Sequence, residues 1–152
     1  MDELHPTNVV PCVRCGRKNR VPAIAEGTPT CGHCHARLPW IAEASDETFA
    51  SVVETSKIPV VVDLWAEWCA PCRMLRPGLE QLARVFAGRM KLVSVDVDRA
   101  PRIAERFSVR AVPMLMVMKG SEVIATHAGA APVATLAAWV EDAIAKTSSP
   151  AK

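Results

Sequence analysis

The chain has 152 residues, room for one core and a small appendage, which excludes a large multidomain enzyme. Half of the residues are hydrophobic, 22% are charged and the formal net charge is +2, the profile of an ordinary globular protein and not of a disordered tail or a strongly basic nucleic-acid binder. No apolar run approaches the ~18–20 residues of a membrane span, and the opening residues lack the basic-then-apolar pattern of a secretory leader, so a cytoplasmic protein with no membrane partner is expected.

Six cysteines fall into three C-x-x-C pairs, Cys12/Cys15, Cys31/Cys34 and Cys69/Cys72. In a reducing compartment such pairs bind metal or exchange electrons. The first two pairs form a C-x2-C-x15-C-x2-C pattern, a spacing that lets two tight turns offer four thiolates to one tetrahedral zinc. Gly16 and Gly32 stand at those turns, where backbone amides must approach the sulfurs. Val9, Val10, Val21, Ile24 and Leu38 are too little apolar mass to fold alone, so a single structural zinc ion is expected to drive folding of a zinc-binding region over residues 1–38. Two alternatives stand beside this reading: a redox-active thiol cluster, or a site in which His33 or His35 replaces one sulfur. Arg14, Arg17, Lys18 and Arg20 make the segment basic, but no aromatic residues interleave them for base stacking. A solvated face is expected there, with no nucleic-acid partner.

Leu38 to Ala44 predicts a short edge strand, with Pro39 confining it to a start or edge. Ser45 or Asp46 then caps a helix with Phe49, Val52 and Val53 on its inner face. Pro59 to Trp65 is a β-branched apolar run suited to a central strand covered on both faces. Leu75, Leu79, Leu82, Ala83 and Phe86 repeat at helical spacing, so Cys69 and Cys72 sit at a strand-to-helix junction. There the helix terminus favours a thiolate at Cys69, Pro71 loses no intrahelical hydrogen bond, and Cys72 lies within disulfide reach. A zinc site here would need two more ligands, with His127 and the N-terminal histidines the remaining candidates, so a redox pair is favoured. Met90 to Val97 reads as a strand, Pro101 to about Phe107 as a helix, and Met114–Met118 and Glu122–His127 as a hairpin turned by Lys119-Gly120-Ser121. A last helix begins near Pro132 with Leu136, Trp139, Val140 and Ile144 inward, Trp139 as core, and residues 148–152 form a flexible tail.

The segment Asp63-Leu64-Trp65-Ala66-Glu67-Trp68-Cys69-Ala70-Pro71-Cys72 closely resembles the active-site segment of the thioredoxins. The resemblance runs from about Trp40 to Ile144 and takes in Pro77, the Val112-Pro113 step and the Gly129-Ala130 pair. With four cysteines in front, the whole chain resembles the bacterial type-two thioredoxins, which join a zinc-binding region to a thioredoxin domain, here residues 39–147. The resemblance implies an α/β thioredoxin fold with a mixed central sheet flanked by helices. It implies a monomeric protein-disulfide reductase that acts on disulfide-containing proteins and is re-reduced by a flavin-containing thioredoxin reductase using NADPH. The chain itself is expected to bind neither flavin nor nicotinamide, and no G-x-G-x-x-G follows a strand.

By the same resemblance an exposed Cys69 attacks the substrate disulfide, Cys72 resolves the mixed disulfide, and Asp63 is a buried carboxylate that takes or relays the Cys72 proton, its pKa raised by burial. Trp68, Pro71, Val112, a cis Pro113, Gly129 and Ala130 would form an apolar substrate groove, with Trp65 beneath it. Three residues depart from the family pattern: Ala70 where glycine is usual, Ser94 where a lysine often neighbours the buried Asp, and Met114 where threonine is common. Ser94 is expected to leave Asp63 without its cation and titrating higher. Rival functions are an oxidase or isomerase, disfavoured without a leader, an adaptor module, and a redox sensor whose zinc is ejected by oxidants.

Overall fold

The computed structural model describes residues 7–25 and 27–148. Of the tail expected over residues 148–152, Ser148 closes the last helix and the rest lies outside the described residues. The strands are β1 (Thr7–Pro11), β2 (Lys18–Pro22), β3 (Trp40–Glu43), β4 (Val60–Trp65), β5 (Lys91–Asp96), β6 (Met114–Lys119) and β7 (Glu122–Ala128). The helices are α1 (Ala70–Val85), α2 (Pro101–Arg106) and α3 (Val133–Ser148).

Valine-rich β4 is buried from Val60 to Leu64, which requires neighbours on both edges and cover on both faces. It has them, because the main sheet runs β3-β5-β4-β6-β7 with β4 in the centre. The β3/β5 and β5/β4 pairs are parallel, whereas β4/β6 and β6/β7 are antiparallel. Alternate residues of β4 then feed two cores. Val62 and Leu64 pack with Phe49, Val52, Val93, Ile103 and Met116, while Val61 packs with Leu75, Leu79, Leu82, Leu115, Leu136 and Val140 of the α1 and α3 side. The α/β fold expected from the sequence is therefore present, with helices on both faces of a mixed sheet. Trp139 is half-buried against the second core, its ring centroid 5.6 Å from that of His127.

Two local expectations are corrected. The edge strand starts at Trp40, beyond Pro39, so the proline precedes the ladder instead of opening it. The segment after Ser45 is no capped α-helix: a short π-type turn spans Ala50–Glu54 with no side-chain cap, and the Ser45 N–H donates to Thr48 Oγ1 at 2.8 Å. Asp46 instead caps a helix distant in sequence. The N-cap of α2 is Ala100, which has no acceptor, and Asp46 receives the Ile103 N–H at Oδ1 (2.9 Å) and the Arg102 N–H at Oδ2 (3.2 Å). Burial raises the Asp46 carboxyl, but these two amides and the Arg102 charge outweigh it and hold the group below its ordinary value.

The N-terminal region is tied to the sheet by Trp40 and Lys91. Antiparallel β1 and β2 form a two-stranded sheet, and Val10, Cys12, Val21, Cys31, Leu38 and Trp40 make a small core of their own. The Trp40 indole N–H donates to the Pro22 carbonyl at 2.9 Å. Lys91 is almost fully buried, with its ammonium donating to the carbonyls of Ala23 and Val52 and lying 4.1 Å from the Trp40 ring centroid. Sequence reading gave no sign of this role, since a lysine at a strand start is ordinarily solvated.

Burial brings the Lys91 ammonium down to about 8 from 10.5. Between those two pH values the unfolded chain holds a proton that the folded protein has released, so stability contributed by this group rises with pH across the window and is lost below it. Lys91→Met is predicted to lack that rise. Urea midpoints measured at pH 7.5, 9 and 10.5 test this, and parallel pH trends in the two proteins would contradict it.

Candidate active site and metal centre

The dithiol sits where β4 hands over to α1. After the strand, the Cys69 N–H returns to the Ala66 carbonyl (3.1 Å), and Cys69 adopts an extended N-cap conformation with Pro71 in the first helical turn. Cys69 and Cys72 are joined as a disulfide with a Cα–Cα distance of 5.3 Å. The Cys72 N–H points at Cys69 Sγ from 3.2 Å, so an unpaired amide of the helix start stabilises negative charge on that sulfur. Cys69 Sγ is also 3.7 Å from the Val112 carbonyl oxygen, and the Val112-Pro113 peptide is cis, as the resemblance implied. Pro113 in turn accepts the Gly129 N–H through its carbonyl at 2.9 Å, and Gly129 takes a φ of +83 that a side chain would oppose.

These contacts bring Cys69, Cys72, Val112, Pro113 and Gly129 together. Trp68 is 70% exposed beside them with its indole N–H on Asp98 Oδ2 (2.9 Å), and Pro71 and Ala130 are exposed. Cys69 corrects an expectation: it is 3% exposed, not open to solvent. Ala66, Cys69 and Cys72 pack as a cluster against Trp65, Val97 and Val112, which cover the oxidised sulfurs.

Asp63, on β4, is 2% exposed and shares the α1-facing side of the strand with Val61, two residues earlier. Its ladder partners are Ser94 on β5 and Leu115 on β6. The strand position beside Asp63 is the uncharged Ser94, as expected, and the carboxyl titrates higher, but a cation reaches it from another element. Arg76, one turn beyond Cys72 on α1, places Nη2 3.9 Å from Asp63 Oδ2. A long side chain on the covering helix thus supplies the cation that the neighbouring strand lacks. Arg76 was not singled out in the sequence, although its i+4 spacing from Cys72 was the available signal. Burial pushes Asp63 up to about 6 from 3.8, against the opposing charge of Arg76.

The four remaining cysteines converge. Their sulfurs all lie within 4.8 Å of one another, with Cys12–Cys34 and Cys15–Cys31 each at 3.6 Å. A tetrahedron of zinc–sulfur bonds of about 2.3 Å has edges of about 3.8 Å, so the donor set fits a tetrahedral thiophilic cation. His33 and His35 are exposed, and neither belongs to the cluster. Cys12/Cys15 and Cys31/Cys34 each lie at a knuckle: Gly16 N–H returns to the Cys12 carbonyl (2.8 Å) and His35 N–H to the Cys31 carbonyl (2.9 Å). Gly16 has a φ of +80, as the turn requires, but in the second knuckle the left-handed residue is His35 at +67, not Gly32. Amides of Arg14 and His33 point at Cys12 and Cys31 from 3.4 Å. The Cys34 and His33 amides, with Asn19, bring Cys31 down to about 5 against burial. Cys15 is helped by the Arg17 amide, yet burial and the three neighbouring sulfurs push it up to about 11. Four thiolates this close therefore require a cation to coexist.

The raised Asp63 carboxyl carries a stability signature. Between pH 3.8 and about 6 the folded protein holds a proton that the unfolded chain has released, so stability falls as pH rises through the window and stays lowered above it. Asp63→Asn is predicted to be more stable at neutral pH by roughly 2–3 kcal/mol and to lose this fall. Denaturant unfolding of the oxidised proteins at pH 4 and 7.5 checks it, and an Asn variant no more stable at pH 7.5 would refute it.

Comparison with known proteins agrees with the geometry. The thioredoxin family profile matches residues 40–142. The chain is similar to thioredoxin C-3 of Corynebacterium nephridii, with 36% identity covering 88% of this chain and 93% of that protein, a share too large to be confined to residues after Trp40. Thioredoxin C-2 of the same organism is 41% identical over 68% of this chain and 96% of its own length, and the thioredoxin of Haemophilus influenzae is 40% identical over 68% and 97%. With a C-x-x-C disulfide at the start of α1, a cis proline against it and four further cysteines placed to hold a metal, the chain belongs to the thioredoxin family of thiol–disulfide oxidoreductases.

Proposed function

We propose that this protein is a cytoplasmic, monomeric protein-disulfide reductase that works through Cys69 and Cys72, is recycled by an NADPH-linked thioredoxin reductase, and carries one structural zinc on Cys12, Cys15, Cys31 and Cys34. The observation that carries the reading is the placement of Cys69 Sγ between the Cys72 amide and the Val112 carbonyl, at the mouth of a helix and against the Val112-Pro113 step. An extended substrate strand lies along that step and meets Trp68, Pro71, Gly129 and Ala130, with main-chain contacts giving affinity without sequence demand. Met74, 80% exposed on α1, and Met114 add pliable contact area that suits varied partners.

In the reduced protein the Cys69 thiolate attacks one sulfur of the substrate disulfide. A Cys69–substrate bond forms, and the other substrate sulfur leaves with the electron pair. Cys72 then gives its proton to the Asp63 carboxylate and attacks Cys69 Sγ. The Cys69–Cys72 bond forms, the bond to substrate breaks, and the second substrate sulfur departs as a thiolate that takes up a proton. Two electrons pass from the dithiol to the substrate. Asp63 fits this task because it is ionised in part near neutrality and faces the helix that carries Cys72. Bound zinc would supply charge compensation for four thiolates and hold the two knuckles together. The chain divides into the zinc region, residues 1–38, and the thioredoxin domain, residues 39–147, a division supported by the separate small core around Cys12 and Cys31.

The test is NADPH consumption with thioredoxin reductase and insulin as substrate, with zinc measured on the same sample. Wild type should turn over with one zinc per chain, and Cys69→Ser should be inactive with zinc retained. Cys72→Ser should accumulate a mixed disulfide through Cys69. An inactive wild type that retains zinc would overturn the reductase assignment, and a purified protein without stoichiometric zinc would overturn the metal assignment. Chelation at neutral pH is predicted to abolish amide protection in β1 and β2 while β4 to β6 stay protected; uniform loss across the chain would contradict separate roles for metal and sheet.

A further inference from the structure

The family pattern places a cation beside the buried carboxylate from the neighbouring strand, and in this chain that strand position is Ser94, whose hydroxyl cannot carry charge. Asp63 Oδ1 and Ser94 Oγ are both buried and have no hydrogen-bond partner among the described residues. Arg76 reaches the same carboxylate from the opposite direction, at 3.9 Å from Oδ2. Its guanidinium carbon lies 4.9 Å from the Trp65 ring centroid, and its side chain is 31% exposed, so the group is stacked and partly desolvated instead of free in water. Beyond Arg76 a cavity of about 420 Å³ lies between β1, β3 and α1, and both Arg76 and Ser94 line it. The other charges there are Glu43 from β3 and Glu80 and Arg84 from α1. The β5 and β6 residues paired with Asp63, Ser94 and Leu115, are uncharged, and among the described residues Arg76 alone lies within ion-pair reach.

We propose that Arg76 is the positioning residue that keeps Asp63 able to accept the Cys72 proton during resolution of the mixed disulfide. Cys72 and Arg76 are four residues apart, on adjacent turns of one face of α1, and Arg76 reaches Asp63 from that helix. Stacking on Trp65 fixes the guanidinium, and the ion pair favours the ionised form of a carboxyl that burial pushes the other way. The inference rests on the proposed role of Asp63. It adds that the charge setting the proton acceptor has moved from the sheet to the helix.

The experiment is stopped-flow resolution of a preformed Cys69 mixed disulfide between pH 5 and 9, followed for wild type, Arg76→Gln, Arg76→Lys, Asp63→Asn and Asp63→Asn/Arg76→Gln. A nearby cation is worth one or more pH units to a carboxyl, so Arg76→Gln should move the acid limb up by about one unit or more. That slows resolution about fivefold or more at pH 6, and less than about twofold at pH 8.5. Arg76→Lys should stay near wild type, and the double variant should match Asp63→Asn. An acid limb that Asp63→Asn abolishes but Arg76→Gln leaves in place overturns the inference about Arg76 and spares the role of Asp63. A limb that survives Asp63→Asn overturns the role of Asp63 and the inference with it. Far-UV spectra and thermal midpoints of each variant separate a shifted limb from misfolding, and if Arg76→Gln does not fold, Arg76→Met is read by the same criteria.

Discussion

A carboxyl group sealed between the central strand and the first helix is the constraint around which this protein is arranged. Asp63 interrupts a run of valines in the buried central strand of the sheet, and as an ionised group there it costs the fold stability. The surrounding structure limits that cost without removing it. Arg76 pulls the carboxyl toward ionisation, the apolar walls pull it toward the acid, and the balance lies at about 6. A group balanced there exchanges a proton near neutrality, as the resolving role proposed for Cys72, three residues into α1, requires.

The dithiol depends on the same junction. A strand buried on both faces must end at the sheet edge, and the helix that follows leaves its first amides without intrahelical partners. Cys69 occupies the position those amides face, and the cis Val112-Pro113 step closes the other side through the Val112 carbonyl. The N-terminal region is fastened to the sheet through the Trp40 indole and the buried Lys91 ammonium. Its four cysteines cannot all ionise side by side without a cation, so metal binding and local folding there are one event.

Most of the architecture was legible because it is written in local patterns. The apolar run of β4, the helical spacing of Leu75, Leu79 and Leu82 and the doubled C-x2-C each depend on residues close in sequence. What escaped were side chains that act across the fold. Asp46 reads as the cap of its own segment but serves α2, because the Ala100 there offers no acceptor. Lys91 lies at the start of the strand over Met90 to Val97 with nothing in its local sequence to mark burial, yet it is buried among carbonyls and an indole ring. Arg76 carries no mark of its role in the local pattern of α1, and only the tertiary packing of α1 over β4 brings it to Asp63. Cys69 reads as exposed because nucleophiles at helix starts usually are, whereas Val97 and Val112, distant in sequence, help to cover it.

The departures at Ala70, Ser94 and Met114 act on one framework. Ser94 leaves the β5 position beside Asp63 uncharged, where Arg76 is the ion partner, and Met114 stands half-buried directly after the cis Pro113. The central claim is that the buried carboxyl titrates close to neutrality, and ¹³C NMR of the Asp63 side-chain carboxyl across pH 3 to 9 in the oxidised protein tests it most directly. The account predicts a midpoint of about 6. A midpoint at or below the ordinary value of 3.8 would mean that Asp63 is too weak a base to draw the Cys72 proton near neutrality and would contradict its role as acceptor.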